Sequence, residues 1–273
     1  MVTGGASGIG RALAEALATR GAEVVLADLQ IDLATDVALQ ICQAGGSARA
    51  FKVDVTDFSA LQQLVQDTVN RTGRLDYMFN NAGIGIGGSV HHFRLEDWTY
   101  ILDVNLRGVI NGVQAVYAIM RQQGFGHIIN TASIAGLMPS PGGVAYATTK
   151  YAVVGLSTSL RAEAAPCGVF VSVICPGVIE TPILEDGGKY GRMLIEVPPE
   201  TMRQMWDRLR PMPPDRFARK ALRAVANNKA IIVIPSWWKV FWWLHRVAPS
   251  LGMRLAQKRF QTLQAQLGIG DEN

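Results

Sequence analysis

Cysteine is scarce: only Cys42, Cys167 and Cys175 carry a thiol in 273 residues. Three cannot all pair and none sits in a C-x-x-C, so neither a disulfide framework nor a cysteine zinc knuckle is indicated. Their expected role is that of small core hydrophobes in a reducing compartment. Charge is sparse too, at 18% against 49% hydrophobic residues, which excludes a disordered chain. Long apolar runs are missing, since none reaches the ~18 residues a membrane helix needs. The strongest, residues 231–244, is interrupted by Pro235, Ser236 and Lys239. Met1 and Val2 lead at once into a glycine motif, with no charged and apolar signal regions ahead of it. The four histidines, His91, His92, His127 and His245, fit no metal-ligand spacing, so no metal is expected. These absences lead to the expectation of a cytoplasmic protein without a membrane span.

What is present is unevenly spread. Residues 1–200 hold 13 basic and 18 acidic side chains, a net of −5. Residues 201–273 hold 13 basic and 4 acidic, a net of +9. A C-terminal part this basic invites a surface, a partner or an acidic ligand. Nucleic acid is not expected, because no recognised binding motif accompanies the charge.

Short β-branched or apolar runs occur at 22–29, 48–55, 75–80, 127–131, 169–174 and 230–234. Helical periodicity lies between them: Ile9, Leu13, Ala16 and Leu17 share one stripe, and Leu61, Leu64, Val65 and Thr68 another. Near-continuous apolar strands alternating with amphipathic helices mean a parallel sheet covered on both faces. The expected fold is therefore α/β, a three-layer, doubly wound, Rossmann-like sheet of about seven strands with helices on both faces. It is expected as one domain over 1–273: a core at 1–181, a lid at 182–215, a last strand at 230–235 and a helical tail at 236–273. One feature is odd. A central first strand should carry about five or six residues before its loop, and here Met1 and Val2 alone precede Thr3.

Thr3-Gly4-Gly5-Ala6-Ser7-Gly8-Ile9-Gly10 opens the first helix. Glycines let backbone N–H groups approach a pyrophosphate, and the helix N-terminus supplies positive potential there. Gly4, Ser7, Gly8, Ile9 and Gly10 are thus candidate dinucleotide ligands. The spacing is T-G-x-x-x-G-x-G rather than G-x-G-x-x-G. Asp28 ends the next strand, 18 residues past Gly10, close to the ~20 expected of an acid on the adenosine ribose hydroxyls. No Arg or Lys lies in the loop before Gly8 or just after Asp28. A 2′-phosphate would meet a carboxylate without a cation, which favours NAD over NADP. The competing role for Asp28 is a cap on the helix over 30–44.

Then come Asn80-Asn81-Ala82-Gly83, Asn105, Ser133, Tyr146-x-x-x-Lys150 and Pro176-Gly177. Tyr146 and Lys150, four residues apart on one helix, can meet. A tyrosine with pKa near ~10 is a poor base at neutral pH, and a neighbouring ammonium favours its phenolate. Tyr146 can then take a proton from an alcohol or return it to a carbonyl. Ser133, at the carboxyl end of the strand over 127–131, can hydrogen-bond a substrate oxygen as charge develops. Alone, each of these residues would be a packing, solvated or capping side chain.

In that order and spacing the motifs strongly resemble the short-chain dehydrogenase/reductase family, from Thr3 to about Thr181. The resemblance implies that Lys150 binds the nicotinamide ribose and that Asn105 holds a water linking Lys150 to solvent. It implies that Asp54 and Val55 contact adenine, and that Asn81 and Gly83 line its ribose. Pro176, Gly177, Val178 and Thr181 would hold the carboxamide. It also implies a homo-oligomer, a dimer or tetramer, through the helices carrying Asn105 and Tyr146.

The expected lid is rich in methionine and apolar residues, namely Ile183, Leu184, Met193, Leu194, Ile195, Met202, Met205 and Trp206. Such a segment suits bulky apolar ligands. The expected substrate is a hydrophobic secondary alcohol or ketone: a steroid, a retinoid or a long-chain compound. No arginine obviously waits for a substrate carboxylate, although Arg192 could meet one. Four of six tryptophans, Trp237, Trp238, Trp242 and Trp243, sit in the tail beside Lys239, Arg246, Arg254, Lys258 and Arg259. Aromatic residues with basic flanks suit a membrane surface, through residues 237–260. They equally suit packing onto the protein's own active-site mouth or a partner subunit. The function expected is NAD-dependent interconversion of a secondary alcohol and a ketone. Reduction of a 3-oxoacyl thioester and a catalytically silent NAD-binding scaffold stay open beside it.

Overall fold

The computed structural model describes residues 1–185 and 188–267. Positions 268–273 of the expected tail lie outside the described residues. Strand and helix alternate in the order β1 (Val2–Thr3), α1 (Gly8–Ala18), β2 (Glu23–Asp28), α2 (Ile31–Gln43), β3 (Ser47–Lys52), α3 (Phe58–Thr72) and β4 (Tyr77–Asn80). There follow β5 (Ile86–Gly87), α4 (Leu95–Leu102), α5 (Gly108–Gln123), β6 (Gly126–Thr131), α6 (Val144–Ala164) and β7 (Val169–Pro176). The chain continues through β8 (Arg192–Met193), α7 (Pro199–Asp207), α8 (Pro214–Ala226), β9 (Ile231–Ile234), α9 (Trp238–Val247) and α10 (Pro249–Leu267).

Seven strands form one parallel sheet in the order β3-β2-β1-β4-β6-β7-β9. The strand order reverses between β1 and β4, and at such a switch point the crevice at the carboxyl ends of the strands opens. Side chains alternate across the strands. Val24, Leu26, Phe79 and Ile129 face α1, α2 and α8, whereas Val25, Ala27, Met78 and Ile128 face α3, α5 and α6. Both faces are thus closed, as the near-continuous apolar strands require. Each large side chain buried this way contributes about 1.5–3 kcal/mol.

The short first strand is held from both sides. Val2 pairs with Leu26 and Phe79. The ladder runs on through its flanks, with Phe79 N donating to Met1 O at 2.9 Å and Gly4 N to Ala27 O at 2.9 Å. Two regular residues therefore suffice, because the neighbouring backbone is paired too.

A buried polar chain ties three elements together. Asn80 Nδ2 donates to Asn130 Oδ1 (2.9 Å), Asn130 Nδ2 to Ser157 Oγ (3.0 Å), and Ser157 Oγ to the Val153 carbonyl (2.6 Å). α5 crosses over this chain at Gly112, where a β-carbon would lie 1.8 Å from Asn80 Oδ1. Only glycine lets the helix approach that closely.

Beyond the sheet, β5 and β8 pair as a two-stranded ribbon that periodicity does not reveal, since two residues carry no period. It joins the lid to the core. No helix among the described residues is long and apolar enough to cross a membrane.

Candidate active site

The glycine loop is shaped by close approach. Gly4 has φ +64° and a β-carbon there would lie 2.9 Å from Ala82 Cα; Gly8 has φ +52° and would meet Thr181 Cγ2 at 3.1 Å. α1 starts at Gly8 with no side chain capping its first N–H groups and no acidic residue in its first turn. That end of the helix is free to receive an anion. Gly10 does not line the cleft. A β-carbon there would sit 1.9 Å from Gly4 O and 2.7 Å from Asn81 Nδ2, so Gly10 lets the loop fold onto its own helix. Asn81 ties the loop down, donating from Nδ2 to Thr3 O at 3.1 Å and accepting from Thr131 Oγ1 at 3.3 Å.

Asp28 is buried and both of its oxygens are in use. Oδ2 accepts from Ala6 N and Oδ1 from Gln30 N, each at 2.9 Å. The carboxylate therefore holds the loop and starts α2, and each oxygen keeps a lone pair for a ribose hydroxyl. Asp54 Oδ1 accepts from Thr56 N and Oγ1 at 2.9 and 2.8 Å, which fixes the turn after β3.

A cleft of about 1400 Å³ runs from this loop across the carboxyl ends of the strands. Among the expected ligands, Gly4, Ser7, Gly8, Ile9, Asp28, Asp54, Val55, Asn81 and Gly83 line one part. Ser133, Tyr146, Lys150, Pro176, Gly177, Val178 and Thr181 line the next. Among the described residues no lysine or arginine lines the cleft at Asp28, where its neighbours are Ala27, Leu29, Gln30 and Leu33.

Ser133 follows β6 and accepts from Ala135 N at 3.1 Å, so it caps the short turn Ile134–Gly136. Its hydroxyl also stands near the Tyr146 phenol. α6 brings Tyr146 and Lys150 to the same place, with Lys150 Nζ 5.4 Å from the Tyr146 ring centroid. Lys150 Nζ donates to Thr131 O at 3.0 Å, taking up the carbonyl at the end of β6. Burial pushes the Tyr146 phenol up, opposed by the neighbouring Ser133 hydroxyl. Burial brings the Lys150 ammonium down to about 8, which leaves it mainly protonated at neutral pH. Desolvation is the largest cause for both groups, because both are fully buried.

Asn105 lies behind this pair. It lies in a π-helical turn, Asp103–Arg107, fully buried behind the cleft. Its amide clasps the backbone of Ile84: Nδ2 donates to Ile84 O at 2.9 Å and Oδ1 accepts from Ile84 N at 2.8 Å. With both ends engaged, Asn105 shapes the floor rather than reaching the cavity. It remains a close neighbour of Lys150, since a β-carbon at Gly83 would lie 3.2 Å from Asn105 Oδ1 and 3.4 Å from Lys150 Nζ. Cys175 is buried beside Lys150, and burial pushes its thiol up to about 12, so it is inert at neutral pH.

The rest of the cleft is apolar. Ile183, Leu184, Met193, Ile195, Met202, Met205 and Trp206 line it from the lid, whereas Leu194 turns away to pack near Ile86 and Ile101. Arg192 is not free for a substrate: it pairs with the buried Asp97. The tail also enters the site. Trp238 is buried over Gly177, where a β-carbon would lie 2.1 Å from its Nε1. Trp237, Phe241, Leu244, Leu255 and Phe260 line the cleft as well. The tryptophan cluster marked this tail in the sequence, with packing onto the mouth among its expected roles; the structure adds that α10 reaches the cleft as well.

The sequence profile of the short chain dehydrogenases matches residues 1–189, and the chain belongs to that family. By family it is an oxidoreductase. A 3-oxoacyl-[acyl-carrier-protein] reductase of Synechocystis sp. is 38% identical over 187 residues, covering 68% of this chain and 76% of the relative. A probable oxidoreductase, EphD, of Mycobacterium tuberculosis is 35% identical over 253 residues, which is 91% of this chain and 43% of that protein. The chain thus spans less than half of that relative. A crystal structure of a short chain dehydrogenase/reductase from Burkholderia phymatum in complex with NAD superposes with a TM-score of 0.80 at 28% identity, covering 92% of this chain and 93% of the other.

Proposed function

We propose that the protein is an NAD-dependent oxidoreductase that interconverts a bulky, hydrophobic secondary alcohol and its ketone. The carrying observation is the Ser133–Tyr146 pair, which stands where the glycine-loop end of the cleft meets its apolar end. The loop fits a dinucleotide: its glycines make a cradle that side chains would fill, and the open start of α1 faces it. Asp28 without a cation beside it favours NAD. A relative in structure was crystallised with NAD, in line with this choice.

The nicotinamide ring would supply the hydride acceptor or donor. The chain's own residues do the rest. Ser133 donates a hydrogen bond to the substrate oxygen and holds it against Tyr146. Tyr146 takes the hydroxyl proton during oxidation or returns it to the carbonyl oxygen during reduction. Lys150, anchored on Thr131 O, adds positive charge beside the phenol and lowers the cost of its ionised form as the proton moves. The methionine-rich lid and the tail exclude water from this exchange.

Reduction of a 3-oxoacyl thioester is the second reading. Lys189, Arg208 and Arg259 line the lid and tail side of the cleft and could meet an anionic carrier. One of the relatives carries that name. A panel of bulky and short secondary alcohols with NAD and NADP, beside a 3-oxoacyl thioester with both reduced cofactors, separates the two. Turnover of the bulky alcohols with NAD is expected. Tyr146→Phe should lower kcat by at least roughly a thousandfold while leaving NAD affinity nearly unchanged. Near-normal turnover in that variant would refute the proton-transfer assignment. NAD binding without turnover of any compound would point to a silent scaffold.

A further inference from the structure

α9 has two unlike faces. Its inner face places Trp238 over Gly177 and Trp242 against the core near Val233. Its outer face carries Val240, Trp243 and Val247, which are 68%, 61% and 74% exposed. These three recur at i, i+3 and i+7, so they form one stripe along the helix. Leu251 and Met253 at the start of α10 are exposed as well. An apolar patch of this kind marks an interaction surface rather than scattered exposed residues.

Two observations indicate what covers it. First, the charge around it has one sign. From residue 216 to residue 270 the sequence contains ten lysines and arginines and no aspartate or glutamate. Lys239, Arg246, Arg254 and Lys258 stand beside the stripe, all on exposed positions. A second copy of the same face would bring like charges together. An anionic surface would attract them. Second, the stripe is continuous with the cleft. Phe241, Leu244 and Leu255 are exposed and also line the cavity. The mouth of the active site therefore opens on the apolar, cationic face.

We infer that the outer face of α9 and the start of α10 dock on an anionic lipid bilayer, with Val240, Trp243 and Val247 seated at the headgroup boundary. The mouth then faces the membrane, and a membrane-dissolved alcohol or ketone enters between Phe241, Leu244 and Leu255. This last step rests on the substrate class proposed above.

The test is sedimentation of the full chain with phosphatidylglycerol-containing vesicles and with pure phosphatidylcholine vesicles. Partition onto the anionic vesicles is expected to be at least roughly tenfold stronger, and to fall with added salt. The triple variant Val240→Ser, Trp243→Ala, Val247→Ser should lose about tenfold in partition. The double variant Lys239→Glu, Arg246→Glu should lose the preference for anionic vesicles. Circular dichroism checks that each variant is folded. Equal, weak sedimentation with both vesicles would overturn the inference, and so would variants that partition like the parent. A parent that dimerises through this face, or that binds an acidic carrier protein in preference to vesicles, would overturn it as well. Turnover of a water-soluble ketone without vesicles reads the catalytic assignment separately. Vesicle binding without turnover sinks the proposed function, and turnover without vesicle binding sinks this inference.

Discussion

Asp28 shows how one side chain serves two ends. It is the last residue of β2, and its two oxygens accept Ala6 N–H and Gln30 N–H. A cap and a ribose ligand looked like alternatives from spacing alone, because a sequence does not show how many lone pairs are taken. The carboxylate repels a 2′-phosphate as well. Asp28→Asn keeps an acceptor for the loop and removes the charge. The ratio of kcat/KM with NADP to that with NAD should then rise by roughly tenfold, about 1.4 kcal/mol. An unchanged ratio would reduce Asp28 to a cap. Lys150 teaches the reverse lesson. Its i, i+4 relation to Tyr146 is visible in the sequence, but its grip on Thr131 O belongs to β6, which is distant in sequence.

Elements are stitched by buried polar contacts at their ends. His127 is the second residue of β6, and its Nε2 lies 2.8 Å from Ser172 Oγ on β7, which donates onward to Lys229 O before β9. Burial, with the Arg161 charge adding to it, brings the His127 pKa down to about 4. The unfolded chain binds this proton near pH 6.5 and the folded chain does not. Stability is therefore full above that value and falls as pH drops from about 6.5 toward 4, by up to about 3 kcal/mol. Urea denaturation of the parent and of His127→Gln, at neutral and at mildly acid pH, checks this. The variant should have a flatter pH dependence across that window, and parallel curves would mean that other groups carry the slope. Strand existence was legible here from the run 127–131, although the strand starts one residue earlier, at Gly126. The π-helical turn at Asn105 was not legible at all, since five residues that read as ordinary helix adopt it to clasp Ile84.

Across the whole molecule the site is assembled from parts far apart in the chain. The lid is clipped on by the Arg192–Asp97 pair and by the β5–β8 ribbon. Tyr100 Oη adds a bond to Tyr190 O at 3.1 Å. Arg192→Met removes the ion pair and leaves buried Asp97 without its cation. KM for a bulky substrate should rise roughly three- to tenfold, about 1 kcal/mol, with kcat changing less. An unaltered KM would show that the ribbon alone positions the lid. On the far side, the tail puts Trp238 on Gly177, so the last helices and the loop after β7 share one wall.

The sequence by itself determined the fold class, the glycine loop, the Ser133–Tyr146–Lys150 set and the apolar character of the lid. Those features are local: they are set by period, by spacing along one helix, and by residue type. Only the tertiary structure decided that Gly10 and Asn105 stand behind the cleft, that Arg192 is spent on Asp97, and that the tail closes over the mouth. Each of these depends on which distant backbone or charge a side chain meets, and burial then sets its chemistry. For Tyr146 and Lys150 burial is the largest influence on the pKa, and spacing along a helix does not show burial.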